Sequence, residues 1–424
     1  MERRSAPSVV ACRGRVGRLR RTCEVKEPQM TQDSVQAQYE AYPYPERKPT
    51  EERKRLITGS PSLPVEMDHW LWGGARDWSQ PLRALVAGGG TGDALIQLAQ
   101  LLSDAGRPYE ITYLDMSSAA RRIAEKRAQV RKLNGISFVT GSLLDAGDLG
   151  LFDYIDCCGV LHHLEYPQAG FDALAEALAP DGGMGLMVYA PHGRSGVYPL
   201  QAAFGRLFQG LPPDKRLKRA RAVFRALPDA HPFKRNTRVV DHEQGDAGFY
   251  DLLLHGRDRP FTITRAMQAL DGAGLDYAGS PEAMLYDPAP LIGEMPEGFG
   301  HIEAMQLAED LRGTFKTHVI YARPKGQVVL PPFGHADAVA HLRGVAAAQL
   351  AAHVAKTGQI TIDTAGEAFV FDMPQGAAQA LARVDGRRSL AEIGQGTEGF
   401  AALWAQVEQA LCGSGMMHYS RILL

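Results

Sequence analysis

The stretch LRALVAGGGTG at residues 82–92, followed by DALIQLA at residues 93–99, decides the fold of this chain. The apolar run at 82–87 predicts a β-strand, and residues 93–99 predict the start of a helix. Glycines between them let the backbone turn tightly and approach a ligand without a Cβ in the way. The free N–H groups at the helix start add donors and a partial positive charge. A strand, a glycine turn and a helix in this order favour a nucleotide-type ligand.

Further strand-like runs follow at residues 109–114, 136–145, 152–164 and 178–189, separated by helical patterns such as 118–133 and 170–178. The first of these runs ends at Asp115, 23 residues beyond Gly92. An acid at the tip of the second strand is where dinucleotide-type folds hold a ribose diol. Residues 275–280 and 318–322 are candidates for the last two strands. Strands alternating with helices predict an α/β fold with a doubly wound parallel sheet.

The motifs GGGTG, LD, GSLLD, FDYIDCCGVLHHL and LAPDGGMGLMVY occur in this order between residues 88 and 189. In this series the chain resembles the class I S-adenosylmethionine-dependent methyltransferases, closely over residues 80–191 and more loosely to residue 324. The FD strand and the following LxPxGG motif separate it from a dehydrogenase. The resemblance implies a Rossmann-like seven-stranded sheet, S-adenosyl-L-methionine as cofactor and methyl transfer (class 2.1.1) as activity.

The resemblance also implies which residues contact the cofactor. Those in the matching motifs are Gly88, Gly90, Gly92, Asp115, Ser142, Leu143 and Gly159. The glycine backbone would pass beside the methionine part, and Asp115 would hold the ribose hydroxyls. Ser142 and the Leu143 amide would face the adenine, with Gly159 at the cofactor's edge.

Two positions depart from the family pattern. An acid usually ends the first strand, where this chain has Val86 and Ala87, and the usual acid of the third-strand motif is replaced by Ser142. These departures suggest a second hypothesis, a binding protein that keeps the fold without catalysis. A nucleotide-dependent oxidoreductase is a third, but the later motifs do not support it.

The fold by itself does not fix a catalytic residue. Methyl transfer from a sulfonium is an in-line displacement, so catalysis consists mainly of placing the nucleophile on the methyl axis. A general base helps only when the acceptor carries a proton. The candidates are His162, His163, Tyr189 and His192, although helix capping or packing is an alternative role for the adjacent histidines. Adjacent histidines do not converge on one metal ion, so we expect no metal.

The N-terminal part divides into two predicted segments. Residues 1–30 are rich in arginine and form either a disordered extension, an organelle-targeting peptide or a nucleic-acid arm. Residues 31–79 predict a helical cap. Within it the motif YEAYPYP, from Tyr39 to Pro45, places tyrosines beside a proline turn. Tyr39 is predicted to contact the cofactor as part of a lid, and the alternative is an aromatic staple on the core.

The remaining segments flank or follow the predicted methyltransferase domain at residues 80–325. Residues 191–260 predict an insertion that builds the acceptor pocket, with a basic run at 215–221 that is either an anion contact or a solvated helix face. Residues 326–424 predict a small additional α+β domain with an Ala-rich helix over 336–356. There Ser389 and Glu392 form a capping box. This module resembles winged-helix domains, and we expect a protein contact or a homodimer rather than DNA binding.

Composition limits the partners. The chain has 424 residues, 45% hydrophobic and 22% charged, with a net charge of −2 and five cysteines in no metal or disulfide pattern. These values predict a cytoplasmic protein of a reducing compartment with no membrane partner. The expected partner is a methyl acceptor, either a small molecule or a peptide or protein. An RNA acceptor is an alternative through residues 215–221, which the near-neutral charge disfavours.

Overall fold

The central sheet has seven strands in the computed structural model, which describes residues 32–295, 297–330 and 335–423. The strands are β1 Leu82–Ala87, β2 Tyr109–Asp115, β3 Ile136–Thr140, β4 Phe152–Cys158, β5 Leu178–Tyr189, β6 Leu275–Gly279 and β7 Thr317–Pro324. Their order is β3-β2-β1-β4-β5-β7-β6. The five strands β1 to β5 run parallel to one another, and β7 is antiparallel to both of its neighbours. The predicted Rossmann-like, seven-stranded α/β sheet is confirmed.

Twelve helices accompany this sheet in the described residues. They are α1 Gln32–Ala41, α2 Pro64–Trp72, α3 Asp93–Asp104, α4 Ser118–Arg131, α5 Pro167–Glu176, α6 Val197–Leu207, α7 Pro213–Ala226, α8 Pro232–Arg235, α9 Gly245–Leu254, α10 Ile263–Gly272, α11 Ala289–Ile292 and α12 His301–Arg312. Side chains of β1 alternate between two cores. Leu85 packs with residues of α5 and α10, whereas Ala84 and Val86 pack with residues of α2 and α3. This alternation is the period of two of a β-strand, and both faces of β1 are buried, in agreement with the continuous apolar run in its sequence.

Helix caps fix where several helices begin. Ser117 accepts a hydrogen bond from the Ala120 amide at the start of α4, and Thr262 caps α10 by accepting from the Arg265 amide. The Glu40 carboxylate also accepts a hydrogen bond from the Ser118 amide over 2.5 Å. The C-terminal end of α1 is therefore attached to the N-terminus of α4, next to the end of β2.

Helices α6 to α9 lie between β5 and β6 in the chain and share a core of their own. Val197, Phe204, Phe233 and Phe249 are buried in it. The described residues before α2, 32–63, form the N-terminal segment. Its Tyr42 packs against the same cluster and stacks on Tyr250, with ring centroids 4.9 Å apart. The N-terminal segment and the helices α6–α9 thus meet over the carboxyl ends of the parallel strands.

The C-terminal part has a separate small core. Its elements are β8 Ala340–Leu342, α13 Ala347–Thr357, β9 Gln359–Thr364, β10 Glu367–Asp372, α14 Ala377–Leu381, α15 Leu390–Gly394, α16 Phe400–Gly413 and β11 Met417–Tyr419. The Ser389–Glu392 capping box opens α15 as predicted. The helix predicted over 336–356 is wrong at its start, because residues 340–342 pair with β11 and Gly344 has a φ of +75°. The resemblance to a winged helix stays a prediction.

The residues that directly follow β8 and β11 attach this C-terminal part to α2. The Ser420 hydroxyl donates to Asp68 Oδ2 over 2.6 Å, and Arg343 pairs with Glu66 over 2.6 Å. Trp78 donates to Asp68 Oδ2 over 2.9 Å and is 4% exposed, in line with its predicted place in the core. The predicted basic extension at residues 1–30 and the Pro331-Pro332 boundary lie outside the described residues. In the described part of the chain, no helix combines the length and the apolar character needed to span a bilayer.

Candidate functional site

The glycine turn after β1 depends on backbone angles that other residues rarely adopt. Gly88, Gly90 and Gly92 have φ values of +69°, +51° and +99°. A Cβ on Gly88 would come within 2.4 Å of Val160, and one on Gly90 within 2.9 Å of the Tyr44 carbonyl oxygen. The turn therefore requires glycine both for its conformation and for the close approach of its neighbours.

A cavity of about 760 Å³ opens above this turn. Its walls come from the ends of β1, β2, β4 and β5, the loop after β3, the N-terminal segment, and the helices that follow β5. Ligands of open α/β sheets bind outside the carboxyl ends of the strands, where this cavity lies. All of the predicted cofactor contacts except Gly92 line it, namely Gly88, Gly90, Asp115, Ser142, Leu143, Gly159 and Tyr39.

Asp115 is held at the end of β2 by two backbone amides. Its Oδ2 accepts from the Gly90 N–H over 2.7 Å, and its Oδ1 accepts from the Ser117 N–H over 2.8 Å. Burial raises the pKa of this carboxyl, while the two amides lower it. A carboxylate has about four acceptor positions, so two remain for hydroxyl donors of a ligand. The arrangement fits a ribose diol.

The loops after β3 and β4 complete this half of the cavity. Ser142 Oγ accepts from the Leu144 amide over 3.2 Å and so caps the turn at Leu143–Leu149. Its hydroxyl proton remains able to donate to a ligand. Gly159, with a φ of +83°, donates its N–H to the Met187 carbonyl over 3.0 Å. These residues leave a floor of backbone and small side chains on which a flat base can lie.

The N-terminal segment covers the cavity. Ser117 Oγ donates to the Tyr39 carbonyl over 3.2 Å, and Thr91 Oγ1 donates to the Pro45 carbonyl over 2.7 Å. The Tyr39 hydroxyl donates to Asp251 Oδ1 over 3.1 Å. Tyr39 therefore lines the cavity and also ties the segment to its opposite walls, so both the lid and the staple interpretations have contacts in the structure.

The four catalytic candidates lie in different places. His163 and Tyr189 line the cavity. His162 is buried with its ring 4.0 Å from that of Tyr189, and it is absent from the cavity wall. Burial lowers the pKa of His162 well below its usual value, which keeps it neutral. His192 is exposed, pairs with Asp310 over 3.4 Å and lies outside the cavity wall.

A buried triad of His163, Asp251 and His255 lies beside the cavity, with one potential metal-ligand atom of each within 4.8 Å of the others. The hydrogen bonds assign the His255 tautomer. Its Nδ1 accepts from the Arg257 N–H over 3.0 Å, so the neutral ring carries its proton on Nε2. That proton points to the Tyr39 oxygen, 3.3 Å away. These contacts form a hydrogen-bond relay from His255 through Tyr39 to Asp251.

The polar residues of the cavity wall that the sequence analysis did not identify include Asp251, Arg194 and Asp156. Asp251 comes from α9, and burial raises the pKa of its carboxyl to about 6. Arg194 is buried with its guanidinium carbon 3.6 Å from the Tyr189 ring centroid, and it pairs with Asp258 over 3.5 Å. Asp156 lies in the FD strand motif itself. A signal for Asp156 existed, an acid inside an apolar strand, whereas nothing local ties Asp251 to the glycine turn.

Comparisons with known proteins agree with this geometry. A family model described as "Methyltransferase domain" matches residues 85–184. The uncharacterized protein syc1184_c of Synechococcus sp. is 31% identical over 294 residues, which cover 66% of this chain and 67% of that protein.

Solved structures show the same fold. The structure of PKMT2 from Rickettsia typhi superposes with a TM-score of 0.58 at 15% identity, covering 86% of this chain and 76% of that one. The same protein in complex with AdoHcy gives a TM-score of 0.55, also at 15% identity, over 84% and 75% of the two chains. With the glycine turn, the Asp115 contacts and the family match together, the chain belongs to the class I S-adenosylmethionine-dependent methyltransferases, whose cofactor is S-adenosyl-L-methionine.

Proposed function

We propose that the chain transfers a methyl group from S-adenosylmethionine to an acceptor that binds against Tyr39, His163 and Asp251. One observation carries this proposal: a single cavity joins the glycine turn and Asp115 to a polar wall on the far side. Tyr39 contacts both halves through its carbonyl oxygen and its hydroxyl. The polar wall formed by Tyr39, His163 and Asp251 therefore lies next to the predicted cofactor site, and its polar groups can orient an acceptor.

The cofactor, when bound, supplies an electrophilic methyl group on a sulfonium. The residues of the wall then have two tasks, to orient the acceptor and to take its proton where it has one. Asp251 suits the second task, because a carboxyl with a pKa of about 6 is ionised at pH 7 and is still a useful base. The Tyr39 hydroxyl, which itself contacts His255 Nε2, donates to this carboxylate and holds it in place.

His163 is the second candidate base. Its Nδ1 lies 2.9 Å from the Arg257 carbonyl oxygen, which can only accept, so Nδ1 carries the proton and Nε2 keeps a lone pair. Asp251→Asn and His163→Gln separate the two candidates. The variant that loses turnover while keeping its affinity for S-adenosylhomocysteine removes the base. If both variants keep wild-type turnover, proton abstraction by this wall is excluded.

The acceptor is proposed to be a small molecule or a peptide or protein. The RNA alternative rested on the basic run in α7, where Arg221 pairs with Asp246 over 2.7 Å and its guanidinium lies over Phe249. Lys215, Lys218 and Arg219 of the same run are exposed, and none of them lines the cavity. This distribution is typical of a solvated helix face and favours the non-RNA acceptors.

The test is a labelling experiment. The purified chain is incubated with S-adenosylmethionine carrying a labelled methyl group and with a cell extract separated into small-molecule, protein and RNA fractions. We expect label in the small-molecule or protein fraction, lost when Asp251→Asn replaces the wild type. Label in RNA would favour the alternative. Cofactor binding without label in any fraction would favour a non-catalytic binding protein.

A further inference from the structure

Asp156 is a buried carboxylate that forms no ion pair within the described part of the chain. Its exposed fraction is 1%, and its Oδ2 accepts hydrogen bonds from the hydroxyls of Ser60 over 2.5 Å and Ser62 over 2.6 Å. Among the residues that the structure describes, no lysine, arginine or histidine forms an ion pair with it. Asp93, another acid of the same cavity, is paired with both Arg47 and Arg127.

The position of Asp156 in the sheet is specific. In the parallel pairing of β1 with β4 it lies directly beside Val86. It also lines the cavity, together with Ser60 and the Gly88–Gly90 turn. Strand β1 lies between β4 and β2, so the backbones that carry Asp156 and Asp115 are two strand spacings, about 10 Å, apart on either side of the glycine turn.

A buried charge is unfavourable unless it is paired, so this carboxylate favours a cation that arrives with the ligand. S-adenosylmethionine carries two positive groups, the sulfonium and the α-ammonium. Only the ammonium has N–H donors that can bond to a carboxylate oxygen. If the ribose lies at Asp115, the amino-acid end of the molecule extends across β1 to the side on which Asp156 lies.

We propose that Asp156 binds the α-ammonium group of the cofactor, as the acid for the methionine end of the site that β1 itself does not provide. This inference rests on the proposed function, since it takes the same cavity as the cofactor site. It gives Ser60 and Ser62 a role as well, because their hydroxyls donate to Oδ2 and hold the carboxylate in place at the cavity wall.

The experiment measures the affinity of three proteins for two ligands by calorimetry. The ligands are S-adenosylhomocysteine, which keeps the ammonium but has no sulfonium charge, and its deamino analogue. The proteins are the wild type, Asp156→Asn and the control Asp153→Asn, which removes a carboxylate of the same strand that does not line the cavity. We expect Asp156→Asn to bind S-adenosylhomocysteine about tenfold to a hundredfold more weakly, as for loss of a charged hydrogen bond, and Asp153→Asn to be unchanged.

The deamino analogue provides a test on the wild type alone, which holds even if Asp156→Asn does not fold. We expect the wild type to bind the analogue about tenfold or more weakly than S-adenosylhomocysteine, and Asp156→Asn to bind both ligands about equally. Equal affinity of the wild type for the two ligands would overturn the assignment. An unchanged affinity of a folded Asp156→Asn for S-adenosylhomocysteine would do the same. If the wild type binds neither ligand, the proposed function fails instead.

Discussion

The Tyr39 hydroxyl donates a hydrogen bond to Asp251 Oδ1 over 3.1 Å, and this bond joins the N-terminal segment to α9 across 212 positions of sequence. His255 Nε2 lies 3.3 Å from the same tyrosine oxygen. The tyrosine thus accepts from the histidine and donates to the carboxylate. The Asp251 carboxylate, which we propose as a base, is therefore positioned by a residue of the N-terminal segment.

Tyr39→Phe keeps the ring and removes this hydrogen bond. We expect kcat to fall about tenfold, since an Asp251 carboxylate without its donor is less well aligned, and affinity for S-adenosylhomocysteine to change less than about threefold. Steady-state kinetics and calorimetry measure the two effects. Tyr42→Phe is the control, because Tyr42 stacks on Tyr250 outside the cavity wall. Equal kcat values for the two variants would argue against a positioning role.

Asp115→Ala tests the ribose contact. We expect S-adenosylmethionine to bind about tenfold or more weakly, because a carboxylate acceptor of hydroxyl donors is lost. Glu110→Ala, an exposed acid on the same strand, is expected to keep the wild-type affinity. Calorimetric titration of both variants measures the difference. Wild-type affinity in Asp115→Ala would remove the ribose assignment.

Asp156→Asn has a pH-dependent effect on stability in the absence of ligand. Burial raises the pKa of the Asp156 carboxyl from 3.8 to about 6. The folded protein therefore binds this proton more tightly than the unfolded chain does, and the carboxyl's contribution to stability is lost as the pH rises from about 4 to above 6. We expect the free energy of unfolding of the variant to exceed that of the wild type by up to about 3 kcal/mol at pH 8, and the two proteins to be about equally stable at pH 4. Denaturant titrations of both proteins at both pH values test this. The prediction would be contradicted if the stability of the variant relative to the wild type were lower at pH 8 than at pH 4.

Arg127, a residue of α4, connects the N-terminal segment to α3. Its fully buried guanidinium donates to Glu52 over 2.7 Å and to Asp93 over 2.6 Å. Arg127→Met leaves the buried Glu52 and the partly buried Asp93 with fewer partners, and we expect the free energy of unfolding to fall by about 3 kcal/mol. Arg122→Met, on the exposed face of the same helix, is expected to change it by less than about 1 kcal/mol. Similar losses in the two variants would show that the Arg127 network does not stabilise the fold.

Local patterns in the sequence were sufficient for the sheet and the glycine turn. Strand β1 and Asp115 could be placed because a short apolar run before a glycine turn, and an acid at the end of the next apolar run, are patterns of neighbouring residues. Asp251 could not be placed, since its approach to Tyr39 depends on how α9 packs over the sheet. Asp156 depends on the register of β4 beside β1, which no single strand specifies. The helix predicted over 336–356 failed at its start because pairing of β8 with a distant C-terminal strand overrode an Ala-rich pattern.

Calorimetric titration of the purified chain with S-adenosylmethionine, with NAD as the control ligand, tests the central claim most directly. The account predicts binding of S-adenosylmethionine alone, with a dissociation constant of about 1 µM to 1 mM, the range in which enzymes commonly bind their substrates. Binding of NAD, or of neither ligand, would contradict the assignment of this cavity as a methyltransferase cofactor site.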